Sequence, residues 1–225
     1  MRFIKLPFIA CLCLFISCIS EENVVVNPGA SQEEEGIIVK FDFEEGNEGF
    51  VGHYLGDAIE DEVVTDLDGV DITCGTLYRG ESSDFGEWKG YDFKGNDTHF
   101  LGLDMGRCGG YFDAAVKTQF IINKDLAKEK TKIKFKYYMP GDFTDWGNNT
   151  YEVNIYIEKS DVQYSGEDSE FKYVEKFKVS VDEKGWVAYA KNLSNDLPQG
   201  AYNLVVEIVG SSAAVDDIRL VEEEE

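Results

Sequence analysis

The stretch Ala213-Ala214-Val215-Asp216-Asp217-Ile218-Arg219-Leu220-Val221 is an apolar, strand-like run interrupted by two adjacent carboxylates. At period two, Ala214, Asp216, Ile218 and Leu220 share one face, and Val215, Asp217, Arg219 and Val221 share the other. One face therefore carries an aspartate among apolar side chains. An ionised carboxylate in such a setting is costly unless a cation or hydrogen-bond donors pair with it, so Asp216 requires a partner from elsewhere in the chain. A bound cation is one such partner.

Working outward, the same alternation recurs almost throughout. Ile37, Val39, Phe41 and Phe43 alternate with Ile38, Lys40, Asp42 and Glu44, and Lys132, Lys134 and Lys136 alternate with Ile133, Phe135 and Tyr137. Residues 150–158, 171–181, 186–193 and 201–209 repeat the pattern, the last with Tyr202, Leu204, Val206 and Ile208 together. Weaker runs lie at 70–79, 99–104 and 111–122. No stretch reads as an amphipathic helix longer than 123–130, which predicts a turn or one helical turn. About ten strands punctuated by Gly, Asp and Asn predict an all-β, antiparallel two-sheet β-sandwich with jelly-roll topology. An immunoglobulin-like sandwich is the second choice.

The chain has 225 residues and a formal net charge of −23, with 44 acidic residues against 21 Lys and Arg. That balance argues against nucleic acid as a partner and suits a solvated surface or cation binding. Residues 1–18 begin with basic Arg2 and Lys5, continue through the apolar core Leu6 to Phe15, and end at Ser17-Cys18. The core is too short to span a membrane, and the pattern is that of a secretion signal. It resembles the lipobox of bacterial lipoproteins, although Phe15 stands where Leu is usual. The resemblance implies lipidation at Cys18 and attachment to the membrane through the lipid alone. Ser20-Glu21-Glu22 resembles the acidic signal that carries Bacteroidetes lipoproteins to the outer face of the outer membrane.

Residues 19–36 are acidic and poor in aromatics, which predicts a tether. Residues 37–221 form the predicted sandwich domain, and 222–225 a frayed acidic tail. Cys11 and Cys13 leave with the leader. Cys74 and Cys108 remain, either as a disulfide closing a long loop, worth about 3 to 4 kcal/mol, or as two buried thiols.

Phe41-Asp42-Phe43-Glu44 near the start and Ala214-Val215-Asp216-Asp217-Ile218 near the end resemble the two ends of galactose-binding-like jelly rolls, the fold of many carbohydrate-binding modules. The resemblance implies a structural calcium ion shared by Glu44 and Asp216. Read from the residues alone, the two are edge carboxylates bound either to calcium or to backbone amides or Arg219. Asp66-Leu67-Asp68-Gly69-Val70-Asp71 groups three acids around a glycine, either as further oxygen ligands or as an Asp-Gly turn.

Sugar binding requires aromatic platforms flanked by hydrogen-bonding groups. Two stretches qualify, 84–92 with Trp88 and Tyr91, and 140–149 with Trp146. In each the tryptophan either stands exposed or plugs an end of the sandwich. Trp186 lies in a strand pattern and is expected in the core. Signatures of catalysis are sparse: His53 and His99 are the only histidines, and no nucleophile elbow, phosphate loop or zinc spacing occurs.

The expectation is a non-catalytic surface lipoprotein whose Trp88, Tyr91 and Trp146 bind a glycan for a surface uptake complex. Three alternatives stand beside it. Gly75-Thr76-Leu77-Tyr78 and Gly86-Glu87-Trp88-Lys89-Gly90-Tyr91 resemble a family of jelly-roll surface lipoproteins, some of which capture cobalamin, which implies a corrinoid or other nutrient. A paired-carboxylate glycoside hydrolase or lyase is the second. A structural or adhesive accessory subunit is the third.

Overall fold

The computed structural model describes residues 36–53, 77–82, 93, 95–103, 112–139, 152–163, 172–180, 185–210 and 213–223. Within them run eleven strands: β1 (Ile37–Phe41), β2 (Val51–Gly52), β3 (Tyr78–Gly80), β4 (Phe100–Leu103), β5 (Phe112–Ile122), β6 (Thr131–Met139), β7 (Glu152–Lys159), β8 (Glu175–Ser180), β9 (Gly185–Asn192), β10 (Gly200–Gly210) and β11 (Ala213–Glu222). They form two antiparallel sheets. One has the order β3-β4-β11-β6-β9 with β1 also on β11, and the other has the order β2-β5-β10-β7-β8. From β4 to β11 the chain crosses between sheets at every connection except β7 to β8, giving the jelly-roll sandwich that the alternation predicts.

The longest strands show why. Ile133, Phe135 and Tyr137 of β6, Val153, Ile155 and Ile157 of β7, and Tyr202, Leu204, Val206 and Ile208 of β10 all enter one core. Alternate residues supply the inner faces of two stacked sheets. Phe41 meets Phe50 and Phe120 edge-on, with ring centroids 5.5 and 6.4 Å apart, and so joins β1 to the opposite sheet. The 123–130 segment is a turn closed by a bridge between Leu126 and Leu197.

The opening stretch departs from its predicted alternation. Ala213 and Val215 face the core before the two aspartates, and Ile218 and Leu220 face it after them. The pairing of β11 with β6 shifts between Asp216 and Arg219, and Asp217 has φ 53°. An extra residue at this bulge exchanges the two faces of the strand, so Asp216 and Ile218 lie on opposite sides.

The bulge also marks a change of neighbour. Residues 213–215 pair with β4 and residues 218–221 with β1, both antiparallel. β1 and β4 therefore follow one another, in the same direction, along a single edge of β11. β1 stops at Phe41, and Phe43 turns the chain away with φ 59° while keeping its ring in the core.

At the other end of β11, the acidic tail is tied down through Glu223. Glu222 N–H donates to Gly36 carbonyl at 2.7 Å, and Lys124 pairs with Glu222 and Lys132 with Glu223.

Candidate functional site

The outer face of the six-stranded sheet carries a second aromatic cluster, made by Tyr78 (β3), Phe100 (β4), Tyr138 (β6), Ala214 (β11) and Phe93, with Trp186 (β9) packed against it. These positions alternate with core residues. Leu77, Leu101, Met139 and Val215 point inward, so their neighbours point out. Phe93 lies 5.2 Å from Phe100 and 5.0 Å from Tyr138, centroid to centroid, and Trp186 lies 5.2 Å from Phe100 and 5.6 Å from Tyr138. Trp186 Nε1 donates to Phe93 carbonyl at 2.9 Å. Burial pushes the Tyr138 hydroxyl above its ordinary pKa.

Trp186 is thus in the outer cluster and not in the sandwich core where its strand pattern put it. Val187 and Tyr189 take the inward positions, which forces Trp186 outward. The inference fails because a strand pattern alone does not say which phase faces in.

Two members of this cluster adjoin the tryptophan-bearing stretches in sequence. Phe93 immediately follows the 84–92 stretch, and Tyr138-Met139 immediately precedes 140–149. Ser82 Oγ is within hydrogen-bond reach of the carbonyls of Phe93 at 2.8 Å and Asn96 at 2.9 Å. Trp88, Tyr91 and Trp146 lie outside the described residues, as do Cys18, Cys74, Cys108 and residues 66–71.

Glu44 and Asp216 are described, and one short segment holds both. Asn96 Nδ2 donates to Asp216 Oδ2 at 2.9 Å, with Thr98 Oγ1 at 3.4 Å, and His99 N–H donates to Glu44 Oε1 at 3.2 Å. Asn96 Oδ1 accepts from Thr98 N–H and Oγ1, so the segment braces itself as an Asx turn. Asp216 is 2% exposed, and burial pushes its carboxyl up to about 6 against the opposing pull of Asn96 and Lys136. Lys136 Nζ stands 3.9 Å from Asp216 and 3.8 Å from Asp217, and Arg219 Nε donates to Asp217 at 2.5 Å.

Glu44 is more open, and its Oε2 lies 3.5 Å from His99 Nδ1. Among the described residues no three His, Cys, Asp or Glu side chains gather as a metal site. Asn96 and Thr98 were legible only as part of an Asn-Asp-Thr triplet. Their service to a residue more than a hundred positions away has no local signal.

The outer face of the five-stranded sheet carries a polar net around a small apolar cluster of Ala115, Tyr156 and Val205. Glu207 (β10) accepts from Asn154 Nδ2 at 2.9 Å and Tyr156 Oη at 2.5 Å, both on β7. Asn203 Nδ2 donates to Glu158 at 3.0 Å, and His53 Nε2 lies 3.6 Å from the same carboxylate. Burial, and then the Glu207 carboxylate, push the Tyr156 hydroxyl far up. Tyr173, 48% exposed, packs against Tyr156 at 5.3 Å, and Lys176 covers the Tyr156 ring at 4.9 Å.

No protein-family model matches the sequence, and a search of curated proteins returns no match. Similar solved structures include the K1 cleaved adhesin domain of Lys-gingipain from Porphyromonas gingivalis, at 12% identity and a TM-score of 0.44 over 83% of this chain and 98% of that one. The CBM22-2 xylan-binding domain from Paenibacillus barcinonensis is 13% identical, with a TM-score of 0.42 over 83% of this chain and 99% of its own. TmCBM61 in complex with β-1,4-galactotriose is 10% identical, with a TM-score of 0.31 over 58% and 74% of the two chains.

Proposed function

We propose that this chain is a non-catalytic glycan-binding lipoprotein of the outer-membrane surface, anchored through Cys18, which captures carbohydrate for an uptake complex. The observation that supports the reading is the contact of Phe93 with Tyr138 in an aromatic patch, because Phe93 follows the stretch bearing Trp88 and Tyr91 in sequence and Tyr138-Met139 precedes the one bearing Trp146. Pyranose rings offer apolar C–H faces to aromatic rings and hydroxyls to amides and carboxylates, and both stretches combine these groups. Trp88, Tyr91 and Trp146 stack on sugar, while neighbouring Asp, Glu and Asn side chains orient it. A single shallow site of this kind binds weakly, and capture gains from display of many copies on one surface.

Affinity-gel retardation across a polysaccharide panel tests the reading. Wild type is retarded on at least one glycan, and Trp88→Ala and Trp146→Ala each abolish the retardation without lowering the melting temperature. Retardation unchanged in both variants removes the site assignment, and turnover of any polysaccharide in the panel removes the non-catalytic reading. Loss of membrane association in Cys18→Ala checks the anchor.

A further inference from the structure

The resemblance to galactose-binding-like jelly rolls assigns calcium to the place where β1, β4 and β11 meet. Calcium takes six to eight oxygen lone pairs directed at one point. Here four of the oxygens already have donors. Arg79 Nε donates to Phe43 carbonyl, and Arg79 Nη2 donates to Glu44 carbonyl at 2.8 Å. Asp216 Oδ2 takes Asn96, and Glu44 Oε1 takes the His99 N–H. Two cations, Arg79 and Lys136, stand at these oxygens, and each would repel a divalent ion. The arrangement does not fit calcium.

We propose that the guanidinium of Arg79 is the cation that closes this sandwich, so that the junction of β1, β4 and β11 needs no metal. Arg79 sits on β3 opposite Leu101 of β4 and is 7% exposed. Its planar fork reaches two successive carbonyls at the point where β1 leaves β11, carbonyls that the strand ladder no longer serves. It thereby ties the end of β1 to the β3–β4 pair that takes over the same edge of β11. The bond also holds Phe43 in its left-handed conformation, which an isolated phenylalanine disfavours. A lysine would bring the charge but not the fork, and could not serve both carbonyls in the same geometry.

The proposal is independent of the glycan reading, and melting curves test it. Wild type melts at the same temperature with millimolar calcium and with chelator, and calorimetric titration with calcium gives no binding heat. Arg79→Lys lowers the melting temperature by roughly 10 °C, and Arg79→Met by at least as much. If Arg79→Met does not fold, Arg79→Lys alone decides. A wild-type melting temperature that rises with calcium and falls with chelator overturns the proposal, as does an Arg79→Lys variant that melts like wild type.

Discussion

The two outer faces of this sandwich solve the same problem in opposite ways. At one end of the six-stranded sheet, beyond the lysines of β6, Tyr78, Phe93, Phe100, Tyr138 and Trp186 cover the strands with rings. On the five-stranded sheet, Glu207, Asn154, Tyr156, Glu158 and Asn203 cover them with a hydrogen-bonded net that is almost as buried. Aromatic packing is non-directional and tolerates small displacements. A carboxylate accepting from two buried donors tolerates none, because each unmatched group pays its full desolvation cost. The polar net therefore fixes the pairing of β7 with β10, while the aromatic cluster leaves its neighbours more freedom.

The largest effect is expected on the aromatic face. Phe100→Ala removes a fully buried ring that touches both Phe93 and Trp186, and should cost about 3 to 5 kcal/mol in urea unfolding. It should also abolish glycan retardation, since Phe93 loses its seat. Retention of binding at this cost in stability would separate the patch from recognition.

On the polar face, Glu207→Ala leaves Asn154 Nδ2 and Tyr156 Oη without their buried acceptor, at about 2 to 3 kcal/mol. Glycan retardation should survive. A loss below about 0.5 kcal/mol, ordinary for a surface position, would show that the net does not act as a lock.

The smallest effect lies at the seam, in the turn from β1 to β2 that joins the two sheets. Glu48 Oε1 accepts the Asp42 N–H at 3.2 Å, Oε2 is buried with no hydrogen-bond partner, and burial pushes the carboxyl up to about 7. A carboxyl raised in the folded state favours the fold while protonated. For Glu48 that contribution is complete below pH 4.5, its ordinary value, and is lost as pH climbs through about 7. Asp216, pushed to about 6, acts in the same direction. Glu48→Gln should therefore stabilise the protein at pH 8 by about 1 to 2 kcal/mol after allowance for solvent screening, and leave it unchanged at pH 4. Melting temperatures at the two pH values check this, and a uniform shift at both would assign the effect to packing.

These contrasts also mark what was legible in the residues. β6 was readable to its ends, because Lys132, Lys134 and Lys136 alternate with Ile133, Phe135 and Tyr137 and one face must stay wet. β10 was readable from the run Tyr202, Leu204, Val206 and Ile208 on one side, although its other face is buried as well. β11 was recognisable as a strand, yet its faces were assigned wrongly beyond Asp216. The paired aspartates were the visible trace of the bulge, but two carboxylates side by side do not reveal an inserted residue. The Phe93–Tyr138 meeting and the reach of Arg79 to Phe43 are products of long-range pairing, and nothing in the neighbouring residues encodes them.

The sharing of one edge of β11 by β1 and β4 has a consequence for the order of assembly. Among the described strands β1 is the first to be made, and its ladder partner β11 is the last. Its ladder hydrogen bonds must wait through the synthesis of nearly the whole domain, until the C-terminal residues arrive. Such a long closure makes folding slow and leaves an aggregation-prone interval, so a chain truncated before Ala213 should not merely lose a strand but fail to retain its first one.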